Sequence, residues 1–596
     1  MPLASLHRSA RFAVAAAIAT HAALAIWAAW AWIHGPFEGR GVVDGAEILA
    51  WARTGEPDAF ATKSPLYPTL LRGAFALAGD SPWTVAGLGL VLSLATLAAL
   101  VCAARELETP RAAPWAAWAW ALSGSALAFS VQPVEALLAA CLGAWCVALA
   151  LRAERTRAAS AIVLAVLCGG AAVLSRAPLL VGVLAVLVWL LRRGVAWRTL
   201  AASLTGAVLL AWLAFGARAW PEAGALNLRL ANGGARSGTC ELRPGPAYDA
   251  LRYDETFDPR RAADPSRSGE SIQLALLADE VSADPSGAVA TLAAKALLFW
   301  QRFELVSDAD FHHGFARFAA WPVLAWSFAL VAPLALFGLA LARCSRATPI
   351  ALFALAVFAT DVLFASASRY RFPALPEFAL LAALFVVSRP ARVRWGLACL
   401  VAGALAVDWT GRARPFGGDG NVQEAQLELE TDRESPRARA CLLRALELGR
   451  DPRARYDLAL SYEHEHRRTG SLDALQRAAA LYREALELEP RYAEASGNLL
   501  RVLLALGRPD EAARVGVDLA ARDPRAGTLR GNLAAAQRGL ASDADVRELE
   551  REAHRIEALR AWAQRAEALA REHARAAREL GSDDPRVLWL LTTTTR

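Results

Sequence analysis

The sequence predicts an all-α protein: a polytopic bundle of about eleven membrane helices followed by a soluble α-solenoid. Three observations predict it. More than half of the 596 residues are hydrophobic (55%) and the mean hydropathy is +0.28, too apolar for a chain that keeps its whole surface in water. The apolar residues gather into blocks of about 17 to 25, the length a helix needs to cross a bilayer core, and these blocks fill residues 11–408. Residues 409–596 are instead charged and rich in Ala, Leu and Arg, with a 34-residue step from Pro490 to Pro524 that suits a helical repeat.

The expected spans are 12–33, 84–103, 113–130, 134–151, 158–174, 178–191, 199–216, 319–342, 347–365, 373–388 and 394–408. The first has a basic start, but its length and the spans behind it mark a retained anchor, not a secretion signal. Every second connection is basic: Arg8 and Arg11; Arg105 and Arg111; Arg152, Arg155 and Arg157; Arg192, Arg193 and Arg198; Arg343 and Arg346; Arg389, Arg392 and Arg394. The positive-inside rule therefore places the N-terminus in the cytoplasm and puts residues 34–83, 217–318 and the C-terminal region outside. The expected location is a bacterial inner membrane, with the repeat region periplasmic. The net charge of +6 rests almost wholly on arginine, Lys63 and Lys295 being the only lysines. Much of it is topogenic, so no nucleic-acid binding is read from it.

On the outer side the scarce polar residues of separate loops converge. Asp44 and Glu47 open an amphipathic helix, and Lys63 in Lys-Ser-Pro and Tyr67 in Leu-Tyr-Pro lead into the next span. Glu135 begins a helix just after Pro133, Arg176 sits in Leu-Ser-Arg-Ala-Pro, and Asn232 opens Asn-Gly-Gly in the long loop. Arg369, Tyr370 and Arg371 stand at the mouth of a late span. Two guanidiniums at that depth are costly unless they reach water or an anion. Arginine forks suit phosphate oxygens, and snorkelling to lipid headgroups is the alternative. Glu135 has a structural explanation too, since a helix start favours a carboxylate. Asp361, inside a span, is expected to pair with another helix. His312–His313 and His464 with His466 lack a third ligand, and no CxxC occurs, so no metal site is expected. Cys240 and Cys441 lie outside the spans and are able to pair.

An acid opening a helix after the first span, then a lysine-and-proline turn before the next, resembles the first external loop of the GT-C glycosyltransferases. These are integral membrane enzymes of the protein O-mannosyltransferase and lipid A aminoarabinose transferase type, which take a sugar from a polyprenyl phosphate. Asn-Gly-Gly at 232–234 and Arg-Tyr-Arg followed by a proline are similar to further signatures of that group. The resemblance implies a membrane glycosyltransferase domain at 1–408, with 34–83 as its catalytic outer loop and 217–318 as its large outer loop. It implies inverting transfer, with Asp44 as the base and Glu135 as a second catalytic candidate. Lys63, Arg369, Arg371 and Arg176 would hold the donor phosphate, and Glu47, Tyr67, Tyr370 and Asn232 would touch substrate. The implied partners are a polyprenyl-phosphate-linked sugar and a periplasmic acceptor of unknown kind. Some members use a divalent cation; Gly45 in place of a second acid favours none here, so no cofactor is expected. Two alternatives stay open: an O-antigen ligase or polymerase, and a non-enzymatic scaffold that displays the repeats.

Residues 409–434 are expected to be a linker and 435–596 a tetratricopeptide-like array with degenerate C-terminal helices. Leu499, Gly507, Ala512, Leu519 and Pro524 fall where paired helices cross, and Tyr482, Ala485 and Pro490 repeat the phase. Such arrays form concave surfaces, so a protein partner is expected there.

Overall fold

The structure, a computed structural model, describes residues 7–56, 65–216, 224–233, 266–301, 309–325, 327–342, 346–388, 419–433, 435–449, 451–490, 492–508, 567–583 and 585–592, besides isolated positions. Its elements among the described residues are helices, with no β-strand. They form two compact units, Met1–Cys240 with Asp284–Pro415, and Glu241–Ala283 with Phe416–Arg596.

The first unit contains α1 (Arg8–Ile33), α2 (Asp44–Thr54), α3 (Leu66–Ala78), α4 (Pro82–Glu106), α5 (Ala112–Ala121), α6 (Gly124–Ser130), α7 (Ala136–Thr156), α8 (Ala159–Ser175), α9 (Leu180–Arg192), α10 (Trp197–Phe215), α11 (Gly224–Asn232), α12 (Pro285–Phe299), α13 (Ser327–Ala342), α14 (Thr348–Leu363) and α15 (Leu375–Ser388). Among the described residues six helices are long and apolar enough to cross a membrane, and four more are apolar but shorter. The unit is a multi-pass membrane protein.

Small residues let these helices approach closely, as lipid-embedded packing requires. Gly143 and Gly182 face Phe353 from two helices; a Cβ on either would come within 2.7 and 3.0 Å of its ring. Gly338 lies against the Leu381 carbonyl, 2.2 Å from where a Cβ would stand. A buried polar knot joins α1, α4 and α5: the His21 ring bonds the Ala121 carbonyl (3.1 Å) and Ser93 Oγ (2.7 Å), and Trp120 Nε1 donates to Ser93.

One expected span is divided. Residues 113–130 break at Leu122, where Ser123 Oγ accepts from Ala126 N and starts a new helix. The expected span 319–342 answers to Trp321–Leu339, one of the six long apolar helices. The span 394–408 lies almost wholly outside the described residues.

The basic connections meet at one end of the bundle. Glu154, on the last turn of α7, accepts from Arg193 Nε (3.1 Å) and Nη2 (2.7 Å) and lies 3.8 Å from Arg346. Arg346 Nη1 also reaches Glu108 (2.8 Å), and Arg155 Nε reaches Glu106 (2.6 Å). The other end of α7, about 30 Å away at 1.5 Å per residue, carries Glu135.

In the second unit α16 (Asp419–Thr431), α17 (Pro436–Leu448), α18 (Pro452–Thr469), α19 (Leu472–Leu488) and α20 (Ala493–Ala505) pack in succession. Ser435, Asp451 and Ser471 cap three of them through side-chain oxygens, the residue types that satisfy orphan N–H groups best. The array begins earlier than expected: Val422 and Ala425, inside the expected linker, are buried with Ala438, Leu442 and Ala454. Tyr482, Ala485, Leu499 and Ala512 are core residues, as their phase predicts; Leu519 and Pro524 lie outside the described residues. Gly507 has φ 69, a left-handed turn where the sequence expects the small residue. Buried Glu463 ties three helices together, accepting from Tyr482 Oη (2.6 Å) and pairing with Arg501 (2.7 Å). Cys441 is a free thiol, and Cys240 lies outside the described residues.

Candidate active site

The end of the bundle opposite the basic connections is organised around Asp44. Gly41 folds onto the first turn of α2, so close that a Cβ there would stand 2.5 Å from the Gly45 carbonyl carbon. Gly45 in turn faces Pro133, whose Cγ would lie 3.2 Å from an added Cβ. The helix therefore starts where no side chain fits between the loop before it and the loop before α7. Val43 pays for this with φ 50 and ψ −113, a left-handed conformation that a β-branched residue adopts only under strain of about 1–3 kcal/mol. The result is a carboxylate at a helix N-terminus, where the dipole favours its charge, and only 2% exposed.

That carboxylate is ion-paired with Arg369, Oδ2 to Nη1. Arg369 Nη2 also donates to Tyr370 Oη (3.1 Å). Arg176 also packs on the Tyr370 ring, its Cζ 4.5 Å from the centroid against 5.0 Å for Arg369. Arg176 Nη1 donates to the Arg369 carbonyl (2.5 Å) and lies 3.9 Å from Glu135 Oε1. The second oxygen of Glu135 is buried without a hydrogen-bond partner within the protein. Tyr67, 2% exposed, faces the same place: burial, and then the nearby Glu135 carboxylate, push its hydroxyl pKa up. Glu47 is one turn along α2 from Asp44, on the same side.

Chemically this is a dry cluster of two carboxylates, two guanidiniums and two phenols. It joins two carboxylates to a pair of forked cations at the mouth of a membrane bundle, and it unites Asp44, Glu135, Arg176, Arg369, Tyr370 and Tyr67 from five separate stretches of sequence.

Two expected members, Arg371 and Asn232, stand elsewhere, and Lys63 lies outside the described residues. Arg371 does not join Arg369 in a clamp: its Nη1 donates to the Phe299 carbonyl (3.0 Å) and the Gln301 carbonyl (2.6 Å), and its Cζ sits 4.0 Å from the Phe328 centroid. Consecutive helical positions two apart diverge by about 200°, which sends the two arginines apart. Asn232 is committed to backbone, its Nδ2 donating to the carbonyls of Leu228 (2.8 Å) and Leu363 (2.9 Å). Asp361 accepts from Ser366 Oγ (2.8 Å) within its own segment, and it lies within electrostatic reach of Arg371 and of Lys295 on α12.

The sequence reading passed over Lys295. It is fully buried and donates to Asn232 Oδ1 (2.6 Å). The available signal was a lone lysine inside an apolar helix, in a chain with only two. Gln132 and Ser368 were also missed; both are buried, with a polar side-chain atom that has no hydrogen-bond partner within the protein. Among the described residues no group of three His, Cys, Asp or Glu is placed to hold a metal ion.

The fold defines the class, a multi-pass α-helical membrane protein carrying a helical repeat. The sequence narrows it: residues 62–220 match the family described as dolichyl-phosphate-mannose-protein mannosyltransferase, and residues 472–538 match the tetratricopeptide repeat. The chain thus resembles the GT-C glycosyltransferases, with a tetratricopeptide region appended. No curated protein matches it. Among solved structures, the archaeal oligosaccharyltransferase AglB from Archaeoglobus fulgidus, in complex with an inhibitory peptide and a dolichol-phosphate, is 14% identical with a TM-score of 0.36. The overlap covers 73% of this chain and only 60% of the archaeal one. ArnT from Cupriavidus metallidurans bound to undecaprenyl phosphate is 14% identical, TM-score 0.34, over 83% of this chain and 79% of that one. In the apo state the same protein gives 15%, 0.36, 83% and 78%.

Proposed function

We propose that this chain moves a sugar from a polyprenyl-phosphate donor to an acceptor at the outer face of a bacterial inner membrane, by inverting displacement with Asp44 as the base. The observation that carries the reading is the buried Asp44–Arg369 pair, with Arg176 bonded to the Arg369 carbonyl beside it. The family matched at 62–220 is described by a dolichyl-phosphate sugar, which supports the donor class.

In this mechanism the acceptor hydroxyl gives its proton to Asp44 as its oxygen attacks the anomeric carbon. The bond from that carbon to the phosphate oxygen breaks, and the electron pair leaves with the phosphate. Arg176 and Arg369 meet the growing charge on the leaving group, the interaction worth most when it is made only in the transition state. A phosphate also competes with Asp44 for the Arg369 fork, so donor arrival releases the base it needs. Glu135 holds Arg176 and offers its second oxygen to a sugar or acceptor hydroxyl. Lys63 joins the phosphate-binding set by the family resemblance alone, and Arg371 is left out of it. The repeat unit would recruit a protein, the acceptor or a partner of the pathway.

Asp44→Asn tests the reading. Transfer from a labelled polyprenyl-phosphate sugar should fall by about a hundred to ten thousand fold. An undiminished rate would overturn the base assignment, and a chain inactive from the start but tolerant of the change in every phenotype would favour the scaffold.

A further inference from the structure

We infer that Lys295 is a positioning residue for Arg369, acting through a reciprocal pair of cationic helix caps; the inference rests on the glycosyl-transfer reading. The last carbonyls of any helix lack partners within it, and among apolar helices they must find donors inside the protein. At the end of α14 the donors come from outside it. Lys295 Nζ, carried on α12, reaches the carbonyls of Leu363 (3.3 Å) and Phe364 (3.2 Å). Asn232 Nδ2 reaches the same two at 2.9 and 3.3 Å while its Oδ1 accepts from Lys295.

The end of α12 is served in return. Arg371, on the chain leaving α14, donates to the Phe299 and Gln301 carbonyls. Each helix thus supplies, from its own stretch of chain, the cation that closes the other. Between the two caps run residues 365–370, which carry Arg369. Ser366 pins them in the middle, its Oγ within 2.8 Å of Asp361 Oδ2 and 3.3 Å of the Lys295 carbonyl.

A fully buried ammonium is an expensive way to fill space; a methionine would occupy the same volume without the desolvation cost. What methionine lacks is three directed donors, and here the donors fix where the chain turns out of α14. Six residues past Leu363, that turn delivers Arg369 to Asp44 and presents its carbonyl to Arg176. Lys295 touches none of the proposed reacting groups in these contacts, so its effect on the site passes through the turn. The large loop 217–318, which contains α12, is thereby built into the proposed donor site.

The test uses the full chain in lipid nanodiscs with undecaprenyl phosphate as the probe. Lys295→Met should raise amide exchange in 365–371 while leaving α1 and α7 as protected as in the wild type, and should weaken binding about tenfold. In an Arg369→Gln background the same change should weaken binding less than twofold, because the group it positions is gone. Equal losses in both backgrounds, or unchanged exchange in 365–371, would overturn the inference. If Lys295→Met loses protection throughout, Asn232→Ala takes its place, with the same pattern at about threefold. A wild-type chain that binds no undecaprenyl phosphate overturns the transfer reading and the role of Lys295 in it; the exchange result then still reports whether Lys295 holds the turn.

Discussion

The two ends of α7 carry charge in opposite ways. At one end Glu154, itself only 7% exposed, meets Arg193 and Arg346, whose side chains are 46% and 38% exposed. At the other Glu135 and Asp44 meet Arg176 and Arg369, which are 6% and 9% exposed. In the first network the acid is buried but its cations reach solvent, so the network costs less to assemble. In the second both partners are buried, and such pairs cost several kcal/mol to assemble, so stability alone does not account for them. The difference lies in the cations, which stay solvated at one end and are stripped of water at the other.

The sharpest way to break this contrast is to neutralise one acid at each end. Asp44→Asn should reduce transfer by about a hundred to ten thousand fold, whereas Glu154→Gln should leave the rate within about twofold; comparable losses would erase the distinction. Next comes stability. Arg369→Gln takes its cation from buried Asp44, with an expected loss of about 3–5 kcal/mol, and adding Asp44→Asn should recover much of it. Arg193→Gln, which removes a half-exposed cation and leaves Arg346 beside Glu154, should cost less, about 1 kcal/mol. Denaturation of the purified chain in detergent measures all three.

The repeat unit supplies a calibration outside the membrane. Burial raises the Asp457 carboxyl from its ordinary 3.8 to about 6, against the Gln426 amide that bonds it. The folded pKa lies above the unfolded one, so the ionised form is disfavoured in the native state. The penalty is absent below about pH 3.8, grows as pH rises, and is complete above about 6; at 1.36 kcal/mol per unit it reaches at most about 3 kcal/mol. Asp457→Asn should therefore slow amide exchange across α16–α20 at pH 8 and change little below pH 4. No gain at pH 8 would mean that burying a carboxylate, with Arg453 acting on it only electrostatically, is cheaper than the Asp44 cluster implies. The smallest effect is expected at the exposed Arg53–Asp80 pair, 52% and 45% exposed, where Arg53→Ala should shift stability by less than about 1 kcal/mol.

Much of this was legible in the sequence, because charge is conspicuous among apolar blocks. Asp44, Glu135, Arg176 and Arg369 stood out at span ends, and the alternation of arginine-rich connections anticipated the network around Glu154. What stayed hidden depends on direction, which spacing near a helix break does not reveal. Arg369 and Arg371 are neighbours in sequence and turn to different helices. Asn232 looked like a turn residue and is a cap donor, since the carbonyls it serves lie 131 residues away. The break at Leu122 was masked by uniform hydrophobicity, a single Ser123 being its local mark. The helix Asp419–Thr431 was taken for linker because its apolar positions are few, though Val422 and Ala425 are the ones that pack.

The backbone at Val43 sets a limit on how this protein can be improved. A glycine there would release a torsion the chain now sustains, favourable to folding by up to about 1–2 kcal/mol. The same release would let the carboxylate one residue on swing away from its arginine. Selection for heat resistance and selection for turnover thus pull this one peptide in contrary directions.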